Sequence, residues 1–160
     1  MGRRIYSVPM DNANIGTAVQ DIFAVKTPAN KGAQIHHVQL CAGAVSAVAE
    51  IRMRLKRGTA TVTLGSGGTV PTPAIVDVGD TLAAASVAHI NDTTQATTSG
   101  AFTTLEFFQW NVLMPFDYMP GPEDEDRDTC DVSQALILDL PAAITPAVVA
   151  SGFFKYRELP

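Results

Sequence analysis

The chain has 160 residues, a length that fits one domain with enough volume to bury a core of its own. Its net charge of −5 and its pI near 5.0 argue against a nucleic-acid-binding protein, which normally carries a basic surface. Charged residues make up only 17% of the chain, against about 25% in an average soluble domain. Because protein interfaces are depleted in charge at their centres, a surface covered by other proteins explains this composition, and compositional drift explains it equally well.

The sequence contains no recognisable targeting or anchoring segment. No apolar region follows Arg3 and Arg4, as a signal peptide requires, and no apolar run approaches the length of a membrane span. We therefore expect a protein that is neither exported by a classical signal nor anchored in a membrane. Cys41 and Cys130 lie outside any CxxC spacing, so we expect two buried, reduced thiols, while a disulfide between them is left open.

Short β-branched or aromatic segments, separated by Gly, Pro, Asn and Asp, predict eight or so strands. No stretch has the long 3.6-residue periodicity of an amphipathic helix. We therefore predict an all-β fold, a β-sandwich or jelly-roll-like arrangement with long loops, over a single domain of residues 1–160. The predicted strands, in chain order, are Arg4–Val8, Thr17–Val25, Ala33–Cys41, Ala49–Arg57, Leu82–Ile90, Ala101–Met114, Val132–Leu140 and Val148–Arg157.

The strand Ala49–Arg57 has the clearest alternation of apolar and charged residues. Its apolar residues share one face and are predicted to lie in the core: Ile51, Met53 and Leu55. Its cations share the opposite face: Arg52, Arg54 and Lys56. We interpret these cations as a ladder that either faces solvent or contacts an acidic partner.

The most hydrophobic segment, Ala101–Met114, has apolar residues on both faces of the predicted strand. One face carries Phe108, Trp110, Val112 and Met114. The other face carries Leu105, Phe107 and Leu113. We expect Trp110 and Val112 in the core, and a strand that is either buried on both sides or covered by a neighbouring subunit.

Two long connections are candidate contacts with a partner. Residues 59–80 form an irregular stretch, in which Gly65–Gly68 is predicted to be flexible while Pro71 and Pro73 hold the chain extended. Residues 115–128 form an acidic loop. The carboxylates at its centre belong to Glu123, Asp124, Glu125 and Asp126. They lack the ligand spacing of an EF-hand, so contact with a basic partner fits this loop at least as well as weak cation binding.

We expect these two loops, the cation ladder and an N-terminal arm with Arg3 and Arg4 to supply the partner contacts. Loops of this kind pack poorly alone but can become ordered against another protein, at an entropic cost of about 1–2 kcal/mol per residue.

No pattern in the sequence predicts an active site. Gly65–Gly68 lacks the Lys and the helix that a phosphate-binding loop needs, and the G-x-S-x-G elbow of hydrolases is absent. His36 and His37, with His89, are the best metal-ligand candidates, but neighbouring residues of a regular strand point to opposite faces. We therefore predict no catalytic, cofactor-binding or metal-binding residue, and a small jelly-roll metalloenzyme is the least favoured function.

A series of local segments lies in order along most of the chain: Ile5–Met10, Val19–Phe23, Gln34–Leu40, Glu50–Gly58, Gly65–Pro73, Asn91–Thr94 and Phe108–Asn111. With these segments the chain resembles the tailed-bacteriophage proteins that decorate, or cement, the capsid. The resemblance implies a β-sandwich on the capsid surface of the virion, made in the bacterial host cytoplasm. It also implies a homo-oligomer, often a trimer, that bridges copies of the major capsid protein, and it implies no site residues.

An alternative from the same setting is a tail, neck or head-fibre component that contacts other proteins or surface glycans. Tyr6 and Tyr118, if exposed, are aromatic side chains that would stack on a sugar ring.

Overall fold

The computed structural model describes residues 4–16, 18–43, 49–121 and 127–160. These residues form thirteen β-strands and no helix, so the predicted all-β class is confirmed. No helix that could cross a membrane is therefore found among them. The strands are β1 (Ile5–Ile15), β2 (Gln20–Lys26), β3 (Gly32–Ala42), β4 (Glu50–Gly58), β5 (Val62–Thr63), β6 (Ala74–Ile75), β7 (Val87–Asp92), β8 (Thr97–Thr98), β9 (Phe102–Asn111), β10 (Phe116–Tyr118), β11 (Thr129–Cys130), β12 (Ala135–Leu140) and β13 (Val148–Leu159).

Most strands belong to two antiparallel sheets, an arrangement consistent with a β-sandwich. Sheet A has the strand order β10-β3-β13-β1-β6, with β11 also paired to β3, and sheet B has the order β7-β2-β12-β4-β9. Strands β5 and β8 form a small separate pair. Strands from the two ends of the chain are neighbours in both sheets. Segments far apart in the sequence, such as β1 and β13 or β2 and β12, are therefore brought side by side.

The core lies between the inner faces of the two sheets. Phe23 of sheet B and Phe154 of sheet A are fully buried, and their ring centroids are 5.9 Å apart. The residues predicted to lie in the core are all buried: Ile51, Met53, Leu55, Trp110 and Val112. The period-two alternation therefore gave the correct inward face for β4 and β9.

Strand β1 is longer than its sequence predicts. It continues through residues 11–14, which have the composition of a turn, and its pairing with β13 shifts register between Met10 and Ala13. Asn12 lies at this irregularity with φ +48°, a conformation that Asn tolerates better than most residues. The turn-forming residue therefore makes a bulge within the strand.

Strand β9 is one of the two edge strands of sheet B, and within one chain it is not buried on both sides. Phe108 packs against the core, whereas Phe107 on the opposite face is 66% exposed. Met114 was predicted to share the inner face, but the strand ends at Asn111 and a turn leaves Met114 exposed. Coverage of this edge by a neighbouring subunit stays a prediction.

Residues 59–80 are attached to the sandwich at several points and contain the short strands β5 and β6, so the stretch is less irregular than predicted. Ser66 pairs with Thr94, and Thr69 pairs with Ile90. A Cβ added to Gly65 would lie 2.0 Å from the Thr94 carbonyl oxygen. Glycine is therefore needed there because two backbones approach closely, rather than for mobility. The acidic loop is also shorter than predicted, because β10 occupies part of residues 115–128.

Candidate interaction surface

The segment 69–87, here called the rim segment, runs along one edge of the sandwich. It starts beside β7, pairs with β1 through β6, and then returns to β7 in the other sheet. Its exposed large apolar side chains are Val70, Val76, Val78, Leu82 and Val87. Val78 is 98% exposed. These side chains are concentrated in one segment, and exposed apolar side chains that together form a patch commonly mark a contact with another protein.

The tip of the rim segment is a hydrogen-bonded turn. The carboxylate of Asp77 accepts a hydrogen bond from the N–H of Gly79 at 2.9 Å, and the Asp77 carbonyl accepts one from the N–H of Asp80 at 3.1 Å. The Asp80 carboxylate accepts a hydrogen bond from the N–H of Leu82 and pairs with the guanidinium of Arg4, and these contacts lower the pKa of Asp80. These contacts stabilise the turn that points Val78 outward.

Glu158 of β13 anchors the other end of the rim segment. Its carboxylate accepts hydrogen bonds from the N–H groups of Ala85 and Ser86, both at 2.7 Å, and from the Ser86 hydroxyl at 2.9 Å. It also pairs with the ammonium of Lys31 at 2.7 Å, and its side chain is 4% exposed. Burial acts to raise the pKa of Glu158, but the hydrogen bonds from Lys31, Ser86 and Ala85 outweigh it and lower the pKa.

Replacing Glu158 with Ala is expected to reduce the free energy of unfolding by about 1–3 kcal/mol near neutral pH, because the buried N–H and hydroxyl of Ser86 lose their acceptor. The wild-type carboxyl has a lowered pKa when folded, so its stabilisation is present above the unfolded pKa. The stabilisation is lost as pH falls through the folded pKa, below the ordinary Glu value of about 4.3. Urea unfolding of both proteins over this range measures the difference.

The difference between wild type and Glu158→Ala should therefore shrink in acid. The exposed Glu106 on β9 provides the control, since Glu106→Ala should leave stability almost unchanged at every pH. A difference between wild type and Glu158→Ala that is constant with pH would contradict the anchoring role of the carboxylate.

The predicted contact residues are only partly brought together. Arg4 is exposed and supports the rim segment through Asp80, and Pro71 and Pro73 are half-buried within that segment. Arg52 is exposed on the outer face of β4. Arg3 and the acidic residues of the second loop lie outside the described residues: Glu123, Asp124, Glu125 and Asp126.

The prediction that Arg54 and Lys56 form a partner-facing ladder was wrong. Lys56 is 4% exposed, and its ammonium lies 2.9 Å from a carboxylate oxygen of Asp139. Arg54 donates two hydrogen bonds to the same carboxylate, at 3.0 and 2.6 Å. The physical reason is that β5, β8 and their flanking residues cover this part of the outer face of sheet B. A small second apolar cluster fills the space beneath them: Ala24, Val62, Ala96, Ala135 and Ile137, with Leu64 and Phe102.

The histidines are separated between the two sheets. His37 of sheet A pairs with Asp117 at 2.7 Å, and His89 of sheet B pairs with Asp92 at 2.9 Å. A register shift in β3 makes His36 an extra, bulged residue, so the regular alternation assumed for this dipeptide is interrupted. Burial lowers the pKa of His36, and neighbouring cations lower it further. Within the described ranges, no three His, Cys, Asp or Glu side chains are placed to hold a metal ion.

The burial of the two cysteines, and of the two tyrosines considered for sugar stacking, differs in part from the sequence-based expectation. Cys130 is buried, and burial raises the pKa of its thiol to about 12, whereas Cys41 is exposed and the two are not bonded to each other. Tyr6 is buried in the core and cannot stack on a sugar. Tyr118 is half-buried and donates its hydroxyl to Asp128 at 2.7 Å.

The exposed rim residues were not predicted, because they lie in a long connection that has no regular alternation of apolar and polar residues. The sequence Asp77-Val78-Gly79-Asp80 does carry a signal, since Asp and Gly at this spacing are typical of a tight turn that exposes its second residue.

Comparisons with known protein families, with curated proteins and with solved structures found no match to the chain.

Proposed function

We propose that the protein is a structural virion protein that decorates a bacteriophage capsid and stabilises it by bridging major capsid protein subunits, as a trimer. The observation that carries the proposal is the rim segment, which presents a fully exposed Val78 on a turn fixed by Asp77, Asp80 and Arg4. The family resemblance and the low charge of the chain support the same function.

The affinity of such a surface for a partner depends on the apolar area that is covered and on the entropy lost in ordering it. Exposed apolar side chains gain about 25 cal/mol per Å² when a partner covers them. A turn that is already hydrogen-bonded loses little conformational entropy on binding, so more of that gain is retained as affinity. Three linked copies would raise the avidity by about 10²–10⁴ through effective concentration.

The test is to add purified wild type or Val78→Asp to capsid particles that lack the protein. The number of bound copies per particle is then measured for each. The side chain touches little of its own chain, so the variant should fold normally. It should bind the particle at least about tenfold more weakly, because a charge would be desolvated at the contact. A deletion of residues 65–73 would test the contact less well than Val78→Asp does. This stretch packs against residues 90–94, so its loss would disturb the fold as well as the surface.

Val149→Asp is the matched control. Val149 is an exposed valine that pairs with Asn14, at the opposite end of β1 from the rim segment. Its replacement should leave occupancy near the wild-type value. Equal occupancy for both variants would remove the rim segment from the contact.

The copy number in purified virions tests the function itself. Hundreds of copies per particle support capsid decoration, whereas a few to a dozen copies support a tail, neck or head-fibre component. Absence from virions would contradict both.

A further inference from the structure

Lys56 lies between two buried carboxylates on three neighbouring strands of sheet B. Its Nζ atom is 2.9 Å from Asp139 Oδ2 on the central strand β12 and 3.3 Å from Asp21 Oδ1 on β2. The side chain of Lys56 is 5% exposed, and both carboxylates are fully buried. The ring of Phe102 lies over the ammonium, with its centroid 4.6 Å from Nζ. An amine and two carboxylates are therefore held together in a nearly dry site.

The two carboxylates have different environments. Asp139 accepts two hydrogen bonds from the guanidinium of Arg54, at 3.0 and 2.6 Å. Asp21 has no guanidinium partner, and burial raises its pKa, although Lys56 acts in the opposite direction. The Oδ2 atom of Asp21 accepts a hydrogen bond from the N–H of Ala96 at 2.7 Å. Its Oδ1 atom faces the Lys56 ammonium and accepts a hydrogen bond from the side-chain amide of Gln95 at 3.4 Å. Asp21 thus presents one carboxylate oxygen to the Lys56 ammonium and holds a backbone donor on the other.

We propose that Lys56 and Asp21 condense after folding into an intramolecular isopeptide bond, with Asp139 as the group that relays the proton. The inference goes beyond the proposed function, because it concerns a covalent modification of the chain itself. The bond would join β4 to β2 across β12. These strands belong to the part of sheet B that supports the second apolar cluster.

The reaction is balanced without a co-reactant. The Lys56 ammonium transfers a proton through Asp139 to Asp21, and the neutral amine then attacks Cγ of the protonated Asp21 carboxyl. A C–N bond forms and the C–Oδ1 bond breaks. One of the three ammonium protons stays on the amide nitrogen, and the other two leave with Oδ1 as water. No atom is oxidised or reduced.

The local geometry favours this condensation. Negative charge develops on Asp21 Oδ2 as the amine adds, and the N–H of Ala96 already points at that atom. The fold holds the two reacting groups near contact distance, which replaces a bimolecular encounter with an intramolecular step. The product is a neutral amide, so the cost of burying a lysine ammonium and a carboxylate is removed.

Intact mass spectrometry of the denatured full-length wild-type chain tests the proposal. The expected mass is that of the sequence less one water, after allowance for any loss of the first methionine. Tandem spectrometry of a protease digest should show a branched peptide that joins residue 21 to residue 56. A wild-type chain with the full sequence mass would overturn the proposal, whatever the outcome of the capsid experiments.

Three variants assign the bond to these groups. Lys56→Arg keeps the positive charge but should restore the full mass, whereas Lys155→Arg, at a lysine outside the cluster, should still lose water. Asp139→Asn should slow the reaction, so that freshly purified protein is mostly unmodified. Water loss that persists in Lys56→Arg, or a branched peptide joining other residues, would overturn the assignment.

Discussion

Replacing Asp139 with Ala is expected to lower the free energy of unfolding by about 3–5 kcal/mol, the range for removing one partner from a buried ionic group. Asp139 is fully buried and accepts hydrogen bonds from Arg54 and Gln95, contacts that do not depend on whether Lys56 is linked to Asp21. Without its carboxylate, the guanidinium of Arg54 lies beside the covered face of sheet B with no acceptor at this position. Because a domain is stable by only about 5–15 kcal/mol in total, the variant loses a large share of its stability.

Urea unfolding at neutral pH measures this effect, and Asp117→Ala is the matched control. Asp117 also pairs with a basic side chain, His37, but its own side chain is 53% exposed. Removing an exposed partner should cost only about 0–1 kcal/mol. Similar losses for the two variants would show that the charges around Asp139 are not buried as the structure describes.

Replacing Phe154 with Ala is expected to cost about 3–5 kcal/mol, as for other large aromatic residues removed from a core. Phe154 is fully buried, and its ring faces Phe23 across the space between the two sheets. The substitution leaves a cavity between two strands that are paired on both sides. Such strands cannot easily move together to fill the cavity, which places the expected loss within the upper part of the range for core mutations.

The adjacent residue provides the control for this prediction. Phe153 lies on the opposite face of β13. Its ring centroid is 4.9 Å from that of His37 and 4.4 Å from the Lys155 Nζ atom. Phe153→Ala should cost about 1 kcal/mol or less, because it removes only partly exposed contacts. Equal losses for the two phenylalanines, measured by the same urea titration, would contradict the register of β13.

The strands and one face of the core were predictable because they depend on local periodicity. Ile51, Met53 and Leu55 alternate with charged residues, and a pleated strand places every second residue on the same side. Trp110 and Val112 followed from the same rule. The positions of Pro and Gly separated the strands well enough to predict an all-β fold, although individual boundaries moved by several residues.

The opposite face of β4 could not be predicted in the same way. Arg52, Arg54 and Lys56 share that face, but only Arg52 is freely exposed. What buries Lys56 is a layer formed by residues distant in the chain, including Phe102 of β9. Its carboxylate partners are also distant, since Asp21 and Asp139 reach it only through sheet pairing. No local pattern carries this information.

The sequence by itself therefore determined the all-β class, the inward residues of the clearest strands and the low charge that suggests a covered surface. These properties depend on composition and on residues two positions apart. The tertiary structure alone decided that residues 59–80 are anchored, that Val78 is presented at a fixed tip and that Lys56 lies between two carboxylates. The physical reason is that strand pairing joins residues far apart in sequence, and burial on an outer face depends on which distant segment covers it.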